Sequence, residues 1–373
     1  MVAVGSGDYP LQDVISQVQF LHCGFVLTAK SNRINMEFKK YNSIENSYQD
    51  DFLSSIIGQG YGEQEYLVQE KVHGANMSFI TDGQQILSAK RTELILDNED
   101  FYNFKLVLEK YKDKIFALYF DLANQFQANT VTIFGEIFGG GYPHPDIPKD
   151  NNAKLVQRGI YYCPANEFYA FDIMLDNEKY LDTETANVLF EKHKFVYAKT
   201  FFKGGLSDCL AYPNAFKTTI PGEYNLPELD GNTCEGVVIR PAQPLFLRNG
   251  SRVIIKNKNE KWAENNNYID KAILKNLLSS EGEELSDEAN FLCEEIFKLI
   301  TCNRLDNLIS KIGEVNPQKE LGKVLGLYNK DVLTDFLKNY QDRYNALEKQ
   351  ESKAVNKFLN KYAAELINDY FDR

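Results

Sequence analysis

Between Tyr66 and about Lys261 the chain changes character every few residues, and this limits its fold more than any other feature. Short runs rich in β-branched and aromatic residues (EYLVQEKV, NMSFI, QQILSAKR, TVTIFGEIFGG, EFYAFDIML, EGVVIRP, SRVIIKNK) are separated by turn signals. Runs of that length and composition are strand-sized, and their close spacing predicts a mostly antiparallel sheet system. Asp82-Gly83 predicts a hairpin turn, since both residues tolerate positive φ. Helical periodicity around Phe101 to Phe126 and after Thr183 adds flanking helices. Beyond Asn265 the texture turns helical: Leu305, Leu308, Ile309 and Ile312 fall at i, i+3, i+4 and i+7 ahead of Gly313, a C-cap residue. Later helices run through VLTDFLKNY and VNKFLNKYAAELINDYF. The expected class is α+β, with a sheet domain over residues 36–264 and a smaller all-helical C-terminal domain over 265–373. Residues 1–35 have few charges and no clear period, and read as an N-terminal extension. Asp8 and Asp13 precede its first cation, Lys30, unlike the acid-free character of an import signal.

With 373 residues, 43% of them hydrophobic, the chain can bury a core for two domains. No run approaches the 18 or so uninterrupted apolar residues of a membrane span. Six cysteines and four histidines without Cys-x-x-Cys spacing signal neither a zinc site nor a disulfide framework. A reducing compartment, the cytoplasm by default, is the expectation. The net charge of -12 taken alone argues against a broad basic surface, and with 15 Lys/Arg against 19 Asp/Glu from Asn265 onward, neither half is a basic tail. Any contact with nucleic acid must come from a local cluster of cations.

Lys71-Val72-His73-Gly74-Ala75-Asn76 follows a predicted strand and leads through small residues into the next. An isolated Lys-x-x-Gly is common and reads as a solvated lysine before a turn. Here it is followed, in order, by Arg91 in SAKRTE, Glu136 in IFGEIFGGG, Phe171 and Asp172 in FYAFDI, Glu235-Gly236 in EGVVIRP, and Lys256 and Lys258 in RVIIKNKN. A lysine amine is a nucleophile only when deprotonated, so its ordinary pKa of about 10.4 has to be lowered by neighbouring cations or desolvation. Lys256 and Lys258, two apart on one strand, share a face and would serve both that purpose and the neutralisation of a phosphate. Without such company the pair would read as an exposed strand face, and Phe171 as core. The run from Gly139 to Gly141 lacks the Lys-Ser/Thr of a P-loop and reads as a turn. His144 and His193 read as surface residues.

The ordered set resembles the covalent nucleotidyltransferase superfamily. Its Lys-x-His-Gly, with histidine where DNA ligases and capping enzymes usually carry aspartate, is similar to the RNA ligase 2 family of phage ligases and kinetoplastid RNA-editing ligases. The resemblance runs from residue 37 to about 262, with FKKYNSIEN, NFKLVLEKY and FLRNGSRVIIKNKN agreeing, and extends to the helical remainder in position and character. It implies an ATP-dependent RNA ligase that joins 5′-phosphate and 3′-hydroxyl ends, at nicks in duplex RNA, through AMP carried on Lys71. It further implies that Lys256 and Lys258 act with Lys71, that Glu235 holds Mg2+ or a substituting Mn2+, that Glu136 contacts ribose and that adenine stacks on Phe171. Glu70, His73 and Asn76 would line the nucleophile's pocket, and Arg91 would contact the RNA 5′-phosphate. Asp172 is expected to support the site, and the helical domain to grip the nicked duplex. One departure stands out: Arg240 occupies a position where the family pattern has lysine, which would alter a phosphate contact there. Two rivals remain open, a DNA ligase or mRNA guanylyltransferase of the same superfamily, and a catalytically degenerate module that binds RNA ends.

Overall fold

The computed structural model describes residues 36–263, 285–313 and 315–372. The expected N-terminal extension and the expected boundary at 264/265 lie outside them. The first part runs β1 (Glu45–Asn46), α1 (Asp50–Gly58), β2 (Tyr66–Glu70), β3 (Ala75–Thr81), β4 (Ile86–Lys90), α2 (Phe104–Phe126), β5 (Val131–Gly139), β6 (Asn166–Leu175), β7 (Lys179–Tyr180), α3 (Thr183–Lys192), β8 (Val196–Tyr197), β9 (Thr200–Gly204), the short α4 (Leu206–Leu210) and α5 (Ile220–Glu223), β10 (Gly236–Pro241) and β11 (Ile255–Lys258). One sheet has the order β1-β11-β10-β2-β9, the other β4-β3-β5-β6-β7 with β8 beside β6. Pairing is antiparallel except for β1 with β11 and β6 with β8. The Asp82-Gly83 turn forms within a four-residue connection, where the Asp82 carboxylate accepts from the Gln84 and Gln85 amides.

Consecutive strands β2 and β3 lie in different sheets, so residues 71–74 form the crossover between them. Gly74 is required at its end: a Cβ there would stand 2.5 Å from the Ile137 carbonyl oxygen and 3.2 Å from the Glu136 carboxylate. Helices α2 and α3 cover the outer face of the second sheet, where Val107, Tyr111, Ile115 and Phe190 join Phe168, Ala170 and Ile173 in the largest apolar cluster of this part. Each of the valine, isoleucine and phenylalanine side chains among them contributes roughly 1.5–3 kcal/mol on burial.

The β5/β6 ladder pairs Glu136 with Tyr169 and Gly135 with Ala170, then Phe134 with Asp172, leaving Phe171 as an unpaired extra residue. This bulge reverses the alternation of faces. Phe168 and Ala170 before it, and Ile173 and Leu175 after it, point to the helices, whereas Tyr169, Phe171 and Met174 pack on the inter-sheet side. Phe171 and Asp172 are thereby both turned toward the other sheet, which an unbroken strand does not allow. The run expected as one strand over SRVIIKNK pairs regularly only from Ile255; upstream, the Ile254 amide folds back on the Arg252 carbonyl.

The helical part comprises α6 (Asp287–Lys298), α7 (Cys302–Ile312), α8 (Pro317–Asn345) and α9 (Lys349–Phe371). Ser286, Thr301 and Asn316 accept hydrogen bonds from first-turn amides as N-caps, and Glu348 with Glu351 forms a capping box. Gly313 ends α7 as expected. Leu292, Ile296, Leu305, Val332, Phe336 and Leu359 anchor a separate apolar core. This part docks on the sheets through Asn303, whose amide donates to the Lys261 and Ala263 carbonyls, and through a 2.8 Å ion pair between Lys338 and Glu45. Among the described residues no helix is long and apolar enough to cross a membrane.

Candidate active site

The crossover carries Lys71 into the space between the sheets, where its ammonium donates to Glu235 Oε2 at 2.8 Å. Glu235 comes from the residue before β10. Its neighbour Gly236, at φ +146°, lies so close to β11 that a Cβ would meet the Asn257 carbonyl at 2.2 Å, which brings Lys258 opposite. Lys258 Nζ stands 2.7 Å from Glu235 Oε1, and His73 Nδ1 is 3.4 Å from Oε2. Burial works against this carboxylate, but the Lys258 and Lys71 ammoniums and His73 outweigh it and hold its pKa well below the usual range. His73 itself is fixed on two sides, its amide donating to the Tyr162 hydroxyl and its ring lying against Trp262.

A cavity of about 570 Å3 opens over this ion pair. Glu70, Lys71, His73, Asn76, Arg91, Glu136, Phe171, Glu235 and Lys256 all line it, so nine of the ten site residues expected from the sequence converge there. The tenth, Lys258, is buried behind Glu235 and acts on it rather than on the cavity. Asn76 and Glu136 face each other across β3 and β5. Burial pushes the Glu136 carboxyl up to about 7 against the pull of Lys71, with the negative Glu235 adding to the rise. Phe171 meets the edge of Tyr41 at 5.1 Å between centroids. The Glu70 carboxylate is engaged by the Thr218 hydroxyl and by the amide and hydroxyl of Thr219, which leaves its main chain as its offer to a ligand. Among the described residues no three His, Cys, Asp or Glu side chains gather as a metal cage. The cavity's carboxylate pair, Glu136 and Glu235, suits the other mode of binding a hard divalent cation, shared between one or two carboxylates and substrate phosphates.

Arg240 is anchored rather than free to meet a phosphate. It donates to the Phe171 carbonyl and to Asp172 Oδ2, both at 3.0 Å. Asp172 is fully buried and also accepts from Arg252 at 2.6 Å and from the Tyr41 hydroxyl at 2.9 Å. Burial would raise the Asp172 pKa, but the two guanidiniums lower it further than burial raises it. A lysine has no fork with which to bridge both the carbonyl and the carboxylate. Asp172 is thus the support expected of it, holding the wall that presents Phe171. Arg252, stacked 3.5 Å from the centre of the Tyr180 ring, and Tyr41 are not marked by the sequence, because their shared partner Asp172 lies 80 or more residues away.

The family model described as RNA ligase matches residues 64–258, and the one described as T4 RNA ligase 2 C-terminal matches residues 283–365. Among curated proteins the chain is 29% identical over 354 residues to RNA-editing ligase 2, mitochondrial, of Trypanosoma brucei brucei, covering 81% of this chain and 83% of that protein. It is 26% identical over 345 residues to RNA-editing ligase 1, mitochondrial, of the same organism, covering 77% and 73%. Among solved structures, a Naegleria gruberi RNA ligase variant with ATP and Mn aligns at TM-score 0.40 and 13% identity, over 61% of this chain and 57% of that one, less than two thirds of its length. With the RNA ligase model spanning more than half of its length and the C-terminal model following in order, the chain belongs to the RNA ligase family.

Proposed function

We propose that this RNA ligase is ATP-dependent, carries AMP on Lys71 and seals 5′-phosphate and 3′-hydroxyl ends at nicks in duplex RNA. The observation that carries the reading is the placement of Lys71: a lysine at an inter-sheet crossover, its ammonium 2.8 Å from buried Glu235, in a cavity that also presents Phe171 and Glu136. Adenine stacks on Phe171, the ribose hydroxyls donate to Glu136, and the α-phosphate lies by Lys71 and Lys256. Lys71, having lost a proton, attacks the α-phosphorus, and the bond to the pyrophosphate oxygen breaks as the nitrogen–phosphorus bond forms. The RNA 5′-phosphate then attacks the same phosphorus and releases the lysine. The 3′-hydroxyl, losing its proton, attacks the 5′-phosphorus and releases AMP. In such transfers the protein supplies positioning and charge neutralisation. Glu235, with the substrate phosphates, would hold Mg2+ or Mn2+, which supplies further neutralisation of phosphate charge. Lys258 secures Glu235, and the helical part grips the duplex.

The test is incubation with α-labelled ATP and magnesium, denaturing electrophoresis, and a chase with 5′-phosphorylated nicked RNA. Label on the protein that passes into sealed RNA is the expected result; Lys71→Ala should take no label. A labelled Lys71→Ala protein would sink the assignment.

A further inference from the structure

The wall of the active-site cavity opposite the sheets is made by α7 and α8, and its charges do not balance. Lys311 and Lys330 line it there, facing a cavity whose sheet-side lining includes Lys40 and Arg91. The acidic groups on the same rim are already engaged. Glu45 holds Lys338 at 2.8 Å, Asp335 holds Arg304 at 2.8 Å and Lys338 at 3.4 Å, and Asp331 holds Arg304 at 2.8 Å. Lys311 gets only a 3.7 Å contact with Asp331. Lys40 and Lys330 have no carboxylate partner among the described residues, and the guanidinium of Arg91 reaches the Asn42 carbonyl at 3.4 Å. Burial, then Arg91 and Lys311, lower the pKa of Lys40, so these cations crowd one another across the junction of the two parts. A chain of net charge -12 that gathers unneutralised cations at one place has built a site for an anion.

We propose that Lys311 and Lys330, with Lys40 and Arg91, form a phosphate cradle that holds the 5′-terminal phosphate of the RNA strand about to receive AMP. The order of bond changes supports this choice, and here the inference rests on the lysyl-AMP reading. Lys71 enters and leaves the α-phosphorus on one side, so whatever displaces it must approach in line from the other. The RNA 5′-phosphate has to wait on that far side, and a dianionic phosphate there needs more cations than Arg91 alone supplies. The pyrophosphate tail of ATP shares the same chemistry and departs along the same line, which makes it the alternative occupant. In this arrangement the helical part reads the strand end itself, and Lys311 and Lys330 are positioning residues for AMP transfer.

The experiment compares the full chain with its Lys311→Ala/Lys330→Ala double variant, both surface changes on helices with an intact core. Two nicked RNA duplexes are used, identical except for a 5′-phosphate or a 5′-hydroxyl at the nick, and binding is read by fluorescence anisotropy without ATP. The wild type should prefer the 5′-phosphate, and the double variant should lose about tenfold for that duplex while its affinity for the 5′-hydroxyl duplex changes little. AMP transfer from pre-labelled protein should slow in parallel, and Lys311→Arg/Lys330→Arg should restore both. A variant that keeps the full 5′-phosphate preference, or a wild type that has none, overturns the proposal. So does a variant whose only defect is a raised ATP requirement for self-labelling, which assigns the cations to the pyrophosphate tail. A wild type that prefers the 5′-phosphate but never takes label would retain the cradle and refute the lysyl-AMP reading, so the two failures are distinct.

Discussion

The two parts of the molecule bury different things. Between and around the sheets, charge is buried: Glu235 with Lys71 and Lys258, and Asp172 with Arg240 and Arg252, all drawn from strands or strand ends far apart in the chain. The helical part is held by apolar packing, and of its ionic groups among the described residues only Arg304 is nearly fully enclosed, between Asp331 and Asp335. Strand register can fix two side chains from distant segments within a hydrogen bond of each other, which in-line chemistry needs. A helix pair offers a broader face, suited to a polyanion whose phosphates repeat. The proposed division of labour would therefore be built into the kind of secondary structure each part uses.

The sharpest way to break the comparison is Asp172→Ala. It leaves two guanidiniums enclosed without their carboxylate, and a loss of about 3–5 kcal/mol in urea unfolding is expected. A loss below 1 kcal/mol would mean that the buried charges of the sheet part are not what holds it. Phe336→Ala, in the helical core, should cost about 3 kcal/mol by the same measurement. At low temperature its folded fraction should still take AMP from ATP at the wild-type rate; slower labelling would erase the division between chemistry and grip. A subtler probe is Glu136→Gln. The carboxyl of Glu136 sits at about 7 in the fold against an ordinary 4.5, so the folded chain binds the extra proton between those values. Its contribution is fully present below about pH 4.5 and is lost as pH rises toward 7. Removing the charge should flatten that slope and stabilise the variant relative to wild type by about 3 kcal/mol at pH 8 compared with pH 4. An unchanged slope would place the titration elsewhere. The smallest effect belongs to Lys338→Ala at the junction, where an exposed pair with Glu45 contributes about 0.5 kcal/mol or less; a loss above 2 kcal/mol would make the junction itself a principal source of stability.

Most of the cavity's lining was legible because its pieces are short and local. Lys71 to Asn76, Glu235-Gly236 and Lys256-x-Lys258 are each a strand end with a turn, and the order in which they occur carries the resemblance to RNA ligases. The strands were legible for the same reason, through length and composition. Tyr41 and Arg252 were not, since nothing beside them in the chain marks their shared partner, Asp172. The face of Asp172 was hidden too, because alternation along FYAFDIML places it opposite Phe171 and only the bulge brings the two to one side. The cationic rim was invisible for a further reason: Lys311 and Lys330 look like ordinary solvated helix lysines until α7 and α8 are set against the sheets.

Trp262 is the only tryptophan of the chain. Its indole lies 4.8 Å from the imidazole of His73, two residues from Lys71, and is 4% exposed. Light absorbed at the red edge of the aromatic band therefore excites one fluorophore, at one place, beside the crossover that carries Lys71. The emission registers any rearrangement of the crossover when a nucleotide enters the cavity. The molecule carries its own optical reporter, and the individual steps of ligation become accessible to stopped-flow observation without a label on protein or RNA.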